Sequence, residues 1–398
     1  MQAESMGLSK LIQKKKLNVV GIMSGTSLDG IDFVLVEATK RSSAIVHVQY
    51  KDRVHVEFPE QMKCKLAQAA RQELKVDEAS ILHHDLGRYY ASCMKEILKK
   101  KKWKVDILGL HGQTVFHEPP KATTQIGEPS YLAALGRFPV VSDFRVADLA
   151  VGGQGAPLAS LFHQIAFSNS SSVKSKTSIK SSKREVFSLH NLGGISNLTL
   201  IDSQSGVLQS FDTGPANMLM DLYMKKISNH EQECDWNGQL AFQGIPNQKW
   251  IEHQLQQEYF QKEAPKSCGR EQFGEDFLEK ALHQLGHVPK QDIMATLCEF
   301  TARTIADSYK KLLIKKPKRL ILCGGGSLNP FLKKRIQYHL SRLSVQSTGD
   351  YGWHPMSIEG AAFALLAAYR IWEIPANLPK TTGAKKKVLL GQITQLFA

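Results

Sequence analysis

The stretch Val20–Glu37, VGIMSGTSLDGIDFVLVE, decides how the rest of the chain is read. Two apolar runs rich in β-branched residues, Leu17–Met23 and Ile31–Glu37, bracket it and read as neighbouring strands. A plain hairpin would need only Asp29-Gly30 as its turn. The chain instead inserts Ser24-Gly25-Thr26-Ser27-Leu28, which is small, hydroxylated and glycyl. Glycine lets backbone approach a ligand closely, and successive N–H groups with hydroxyls can form a nest for an anion. Alone, such a loop is either an ornate turn or a phosphate cradle. A second one elsewhere in the chain favours the cradle.

That second loop comes with its own strands. Val186–Leu189 leads into Asn191-Leu192-Gly193-Gly194, and Ile195–Ile201 returns. Val207–Phe211 then runs into Asp212-Thr213-Gly214-Pro215, where the strand is expected to end in a turn, and a helix continues through Asp221. In the first half, Ala44–Phe58 alternates as a strand and Ser80–Lys102 carries apolar residues at helical spacing. Val105–Leu110 is a short buried strand ending in His111-Gly112-Gln113-Thr114, and Phe138–Val141 precedes Ser142-Asp143-Phe144-Arg145. The second half closes with a long helix, Asp292–Leu313, and a strand, Arg319–Cys323. That strand enters Gly324-Gly325-Gly326 and then a helix at Asn329-Pro330. Each half therefore reads strand, glycine loop, strand, strand, then helix and strand: a duplicated architecture without sequence identity. One loop per half suits an enzyme that grips a polyphosphate between two lobes, and the triple glycine offers backbone to a flat base or sugar. The chain has no GxxxxGK[ST] at these loops and no GxGxxG after its first strand, which argues against P-loop and dinucleotide-binding folds.

Composition narrows the classes further. The 398 residues, 42% hydrophobic, suffice for two domains and more than one core. Six scattered cysteines without a CxxC pair form neither a disulfide framework nor a zinc site, and suit a reducing compartment. No apolar stretch precedes the first strand, and the most apolar helix, around Ala361–Tyr369, is too short between Glu359 and Arg370 to span a bilayer. A cytoplasmic protein without a membrane partner is expected. Net charge is +14, from 51 Lys and Arg against 37 Asp and Glu. The lysines fall in separate clusters (Lys14–Lys16, Lys99–Lys102, Lys174–Arg184, Lys385–Lys387) without interleaved aromatics, so no nucleic-acid partner is expected. Residues 168–183, SNSSSVKSKTSIKSSK, lack the apolar content to offset ordering entropy and read as a flexible insertion.

In order and spacing, GIMSGTSLDGID, HGQTVFHEP, QIGEP, SDFR..D.A.GGQGAPL, NLGGISN, FDTGPAN, PKSCGRE, ATL.E.TA and CGGG..NP resemble the anhydro-N-acetylmuramic acid kinase family. The resemblance runs from Gly21 to the pieces near Asn377–Ile393. It implies an α/β chain with a duplicated ribonuclease-H-like fold, of actin and hexokinase type, in two domains around a central nucleotide cleft. The expected lobes are residues 1–146 with 381–398, and residues 147–380 with the insertion. The implied enzyme uses ATP and Mg²⁺ in cell-wall recycling. It opens the 1,6-anhydro bond of anhydro-N-acetylmuramic acid with water and phosphorylates O6, giving N-acetylmuramic acid 6-phosphate and ADP. Metal ligands stay unknown, because Met23 stands about where that superfamily usually carries its metal-associated Asp. Oligomeric state is open, a homodimer included.

Opening an anhydro sugar at C1 resembles inverting glycoside hydrolysis, in which a carboxylate activates water opposite the leaving oxygen. Here the leaving O6 can be captured by a phosphoryl group, so one carboxylate base suffices. As an isolated residue Asp212 reads first as a cap on the following helix, and its match to the family's catalytic Asp reverses that. Glu359 matches a second acidic position assigned to support of catalysis, with a helix N-terminal carboxylate as the alternative. His111, Gln113, Thr114, His117 and Asn217 are expected to line the sugar site, and Arg145 to pair with the lactyl carboxylate or a phosphate. Lys266 and Arg270 are similar cations, or solvated surface residues. Gly21, Ser24, Gly25, Thr26, Ser27, Leu28, Asp29 and Gly30 are assigned to the nucleotide phosphates, with Gly193, Gly194, Gly324, Gly325 and Gly326 on the nucleotide's other side. The chain departs from the family in carrying Val146 and Ala147 where many members have arginine, Ala216 for Gly, and Cys268 for Thr. The first departure also occurs in levoglucosan-type kinases; HGQTVFHEP favours the muramic branch. An actin- or chaperone-like nucleotide switch would use the same loops but leaves Asp212 without a role.

Overall fold

The opening stretch folds as its alternation dictates. Lys16–Met23 (β1) and Gly30–Lys40 (β2) pair antiparallel with Gly21 opposite Val34, and Val46–Glu57 (β3) continues the meander. Ile107–Glu118 (β4) lies parallel to β1 on its other side, with Ala122–Ile126 (β5) paired to its outer half. Val140–Ser142 (β6) is parallel to β4, and a C-terminal strand, Gln392–Thr394, closes that edge. The computed structural model describes residues 7–25, 28–41, 46–136, 138–168 and 184–396. By its contacts the chain divides into two units, Met1–Phe167 with Ser357–Ala398, and Ser168–Met356.

Strand alternation sends neighbouring residues of β1 to opposite faces. Val20 and Ile22 pack in one core with Leu86, Tyr90 and Met94 of the helix Val76–Lys101. Gly21 faces the helix Ile358–Ile371, which is buried on nearly every side and correspondingly apolar. That helix lies on a seam of glycines. A Cβ at Gly21 would stand 1.8 Å from the Gly360 carbonyl oxygen, and one at Gly109 would stand 2.5 Å from that of Phe363. Through this seam the helix packs in the first unit.

In the second unit Val186–Leu192 (β7), Ile195–Asp202 (β8) and Gly206–Pro215 (β9) form another antiparallel meander. Arg319–Cys323 (β10) lies parallel to β7, and Ser344–Ser347 (β11) parallel to β10. The long helix Lys290–Lys311 supplies much of the core through Leu297, Phe300 and Ile305, against Leu198, Leu200 and Leu320. The strand orders β3-β2-β1-β4-β6 and β9-β8-β7-β10-β11 match position by position and in direction. This is the ribonuclease-H-like pattern, built twice.

Two strands are longer than their sequence suggests. β4 does not end before His111-Gly112-Gln113-Thr114 but runs through them to Glu118, because its outer half finds a partner in β5. β9 likewise continues through Asp212-Thr213-Gly214-Pro215, held by β8. Residues 44 and 45 of the third expected strand, and 169–183 of the Ser/Lys-rich stretch, lie outside the described residues. Among the described residues, no helix is long and apolar enough to cross a membrane.

Candidate active site

Both sheets carry a one-residue irregularity where functional residues were expected. Ile22 pairs with Leu110 and Met23 with Gly112, so His111 is the extra residue of β4, and Gly112 accommodates the bend at φ 76°. Asn197 pairs with Asp212 and Ser196 with Gly214, so Thr213 is the extra residue of β9. Bulges re-aim side chains and recur beside active sites.

In the first unit the His111 ring is buried against Phe363, with ring centroids 4.3 Å apart. Its Nδ1 donates to the Gly112 carbonyl at 2.8 Å, which leaves Nε2 as an acceptor. Arg145 fills that acceptor with Nε at 3.2 Å and Nη2 at 2.8 Å, while its Nη1 donates to the Gly155 carbonyl at 2.8 Å. Burial and the adjacent guanidinium hold the imidazole well below its ordinary pKa, so His111 is neutral. It is an acceptor that orients Arg145, with both ring nitrogens engaged. Burial draws Arg145 down to about 10 against the opposing pull of Glu359, and it remains a cation near neutral pH.

The neighbouring candidates differ in availability. Gln113 is 1% exposed, and its Oε1 has no hydrogen-bond partner among the described residues. Thr114 accepts a bond from Gln125 at 3.3 Å, and exposed His117 shares one with Thr123 at 3.0 Å. The Ser24 hydroxyl turns inward, 2.8 Å from the buried Tyr90 hydroxyl and 3.3 Å from the Gly112 carbonyl. Leu28 takes the left-handed conformation at φ 58°, its side chain packed on the core. Thr26 and Ser27 lie outside the described residues. Gly30 is crowded by β3, where a Cβ would lie 2.4 Å from the Val56 carbonyl oxygen.

Glu359 sits in the first turn of the helix Ile358–Ile371. Although the residue is exposed on one side, crowding by protein raises its carboxyl pKa; Asp32 and Asp29 add to the rise and Arg145 opposes it. Asp32 is itself held by Arg53 and, at 3.0 Å, by His55. Asp32 closes the opening motif, yet nothing in its local pattern separates it from an ordinary strand residue.

In the second unit Asp212 is half-buried and gripped at both carboxylate oxygens. Asn197 Nδ2 donates to Oδ1 at 2.8 Å and the Cys268 backbone N–H to Oδ2 at 3.1 Å. Its own N–H donates to the Lys266 carbonyl at 2.9 Å, and the Tyr259 hydroxyl to its carbonyl at 2.7 Å. Burial lifts the carboxyl above the aspartate range, partly offset by the Asn197 and Cys268 donors and increased by Glu271. Asp212 therefore caps no helix; Asn217 holds the N-terminal position before Met218–Ile227. Lys266 Nζ donates to the Tyr259 carbonyl at 2.9 Å and lies 4.6 Å from that ring's centroid, so it braces the loop under Asp212. Arg270 begins the short helix Arg270–Phe273. Asn197, Tyr259 and the Cys268 amide are the partners that sequence reading missed. Asn197 lies in NLGGISN, but only the strand register brings it opposite Asp212.

The glycines of this unit divide into two kinds. A Cβ at Gly193 would meet only the Ile195 carbonyl oxygen at 3.7 Å, and one at Gly325 only Asn217 Nδ2 and Met356 Sδ at 3.5 and 3.7 Å. At Gly194 it would touch the flexible end of Met218 at 3.0 Å. Gly324 and Gly326 instead pack tightly, the first at φ 78° against Asn191 and Leu192, the second against Asn217. Asn217 binds the Leu192 carbonyl through Nδ2 at 3.2 Å and the Gly193 carbonyl through its backbone N–H at 3.0 Å. It ties the two glycine runs together.

Residues 17–396 match the family described as anhydro-N-acetylmuramic acid kinase. The chain belongs to that family. It is 36% identical over 390 residues to the anhydro-N-acetylmuramic acid kinase of Picosynechococcus sp., covering 95% of this chain and 99% of the relative. The Vibrio parahaemolyticus enzyme of the same name is also 36% identical, over 94% of this chain and 96% of its own. As a kinase of this family the chain is a phosphotransferase that uses ATP. Its residues fit such a ligand: Gly193 and Gly325 leave backbone open where a side chain would stand. Among the described residues no group of three or more His, Cys, Asp or Glu could hold a metal ion.

Proposed function

We propose that this kinase opens the 1,6-anhydro bond of anhydro-N-acetylmuramic acid with water and phosphorylates O6, giving N-acetylmuramic acid 6-phosphate and ADP. The observation that carries this reading is the double grip on Asp212 by Asn197 and the Cys268 amide. One donor on each oxygen fixes the carboxylate plane and leaves lone pairs for a water. The raised pKa makes the group a stronger base than an exposed aspartate. Asp212 takes the proton from water as that water attacks C1, and no second carboxylic acid is needed at the leaving O6. ATP is the donor of the phosphoryl group that captures O6, and Mg²⁺, when bound, would neutralise the charge on the transferring phosphoryl. The open glycines at 193 and 325 receive the nucleotide. Arg145, fixed by His111 and Gly155, pairs with the lactyl carboxylate. A cytoplasmic setting is part of this reading, in keeping with six free cysteines.

The test is coupled ADP release over anhydro-N-acetylmuramic acid, 1,6-anhydro-N-acetylglucosamine and levoglucosan. Turnover should be most efficient with the first, and Arg145→Ala should narrow its lead by about ten- to a hundredfold, the worth of a charge-assisted bond. Equal use of levoglucosan by the unaltered enzyme would overturn the muramic assignment. ATP hydrolysis indifferent to every anhydro sugar would overturn the reaction itself.

A further inference from the structure

We infer that Asp148 is a positioning residue that sets the guanidinium of Arg145 for the acidic group of the sugar; this rests on the reading of Arg145 given above. Asp148 is 0% exposed, in the short helix Val146–Ala150 that follows Arg145. Its Oδ2 accepts the Gly155 N–H at 2.8 Å. Its Oδ1 accepts Asn377 Nδ2 and Thr382 Oγ1, both at 2.9 Å. Gly155 in turn offers its carbonyl to Arg145 Nη1. The path from the C-terminal segment to the guanidinium is thus continuous: Asn377 and Thr382, Asp148, Gly155, Arg145.

The loop is wound around that carboxylate. Gly153 N–H donates to the Asp148 carbonyl at 2.9 Å, and a Cβ on Gly153 would fall 2.2 Å from Oδ2. Gly155 holds φ 67°, a conformation that glycine adopts without strain. The C-terminal segment adds backbone bonds, from Gln154 N–H to the Thr382 carbonyl at 2.8 Å and from Lys385 N–H to that of Val151 at 2.9 Å. A fully buried carboxylate served by these neutral donors is a costly way to fill space, and apolar packing would do so more cheaply. What an apolar side chain could not do is hold Gly155 by its N–H and so fix the carbonyl that receives Nη1. With His111 taking Nε and Nη2, three of the five guanidinium N–H groups are bound to neutral acceptors and two stay available to an anion.

The experiment compares Asp148→Asn, Arg145→Ala and the double variant, measuring kcat and KM with anhydro-N-acetylmuramic acid and with 1,6-anhydro-N-acetylglucosamine, which lacks the lactyl acid. Asp148→Asn keeps the shape but sets an NH₂ against one of the donors. KM for the muramic sugar should rise about tenfold with kcat little changed, while KM for the other sugar and for ATP stays put. In the Arg145→Ala background the same substitution should add nothing, since both act through one group. Parallel losses on both sugars, or a full effect that persists without Arg145, would overturn the inference. Should Arg145→Ala leave the sugar preference unchanged, the lactyl reading of Arg145 falls and this inference with it. A preference altered by Arg145→Ala but not by Asp148→Asn sinks this inference alone. If Asp148→Asn does not fold, Thr382→Val carries the test: it should raise the same KM, and Thr382→Ser should restore it. A normal KM in Thr382→Val would then count against the relay.

Discussion

Gly21 and Gly193 belong to corresponding strand-and-loop segments of the two sheets, yet their surroundings are opposite. A Cβ on Gly21 would run into the backbone of the helix Ile358–Ile371, whereas one on Gly193 would stand in nearly open space. The first glycine is needed for packing and brings Glu359 to its place; the second leaves room for a ligand. The carboxylates differ in the same way. Asp212 is oriented by two named donors on a bulged strand, while Glu359 takes its character from crowding and from the charges of Asp32, Asp29 and Arg145. A duplicated fold therefore does not duplicate chemistry. Each copy keeps the sheet and assigns its loops separately.

The sharpest way to break this comparison is to neutralise each carboxylate. Asp212→Asn should lower kcat by about 10²–10⁴-fold, the usual range for a general base, with ATP affinity nearly intact by calorimetry. Glu359→Gln should cost clearly less. A Glu359 variant as damaged as the Asp212 variant would place the base in the wrong unit.

Next in size is the glycine pair. Gly21→Ala should destabilise the protein by about 1–3 kcal/mol or more, because the Cβ meets backbone that cannot swing aside. Thermal melting will read this as a clear drop. Gly193→Ala should leave the melting temperature almost unchanged, within about 0.5 kcal/mol, and raise KM for ATP. A stable Gly21→Ala protein with weakened ATP binding would reverse the two assignments.

The smallest effect is on pH. Asp212 works ionised, so activity should fall as pH drops through its raised pKa, with the acid limb of kcat/KM above the ordinary aspartate range. Asn197 donates to the charged form, and removing it favours the protonated one. Asn197→Ala should therefore move the acid limb to higher pH. A limb unmoved in that variant would mean that another group titrates there.

The meander strands and the two glycine loops were legible in the chain itself, whereas the strand expected to end at Asp212 runs on to Pro215. Alternation, β-branching and glycine content act over a few residues, so local order suffices to express them. The motif resemblance added the reaction and pointed to Asp212, but it treated all the glycines alike and expected His111 to face the sugar. Only the tertiary structure decided that Gly21 faces a helix, that Gly193 and Gly325 stay open, and that His111 is an acceptor for Arg145. It alone decided that a buried carboxylate at 148 ties Gly155 to the C-terminal segment. Those outcomes depend on partners 34 positions apart in the chain for Arg145 and His111 and 234 apart for Thr382 and Asp148. No local pattern encodes them, because their energies exist only once packing has brought the partners into contact.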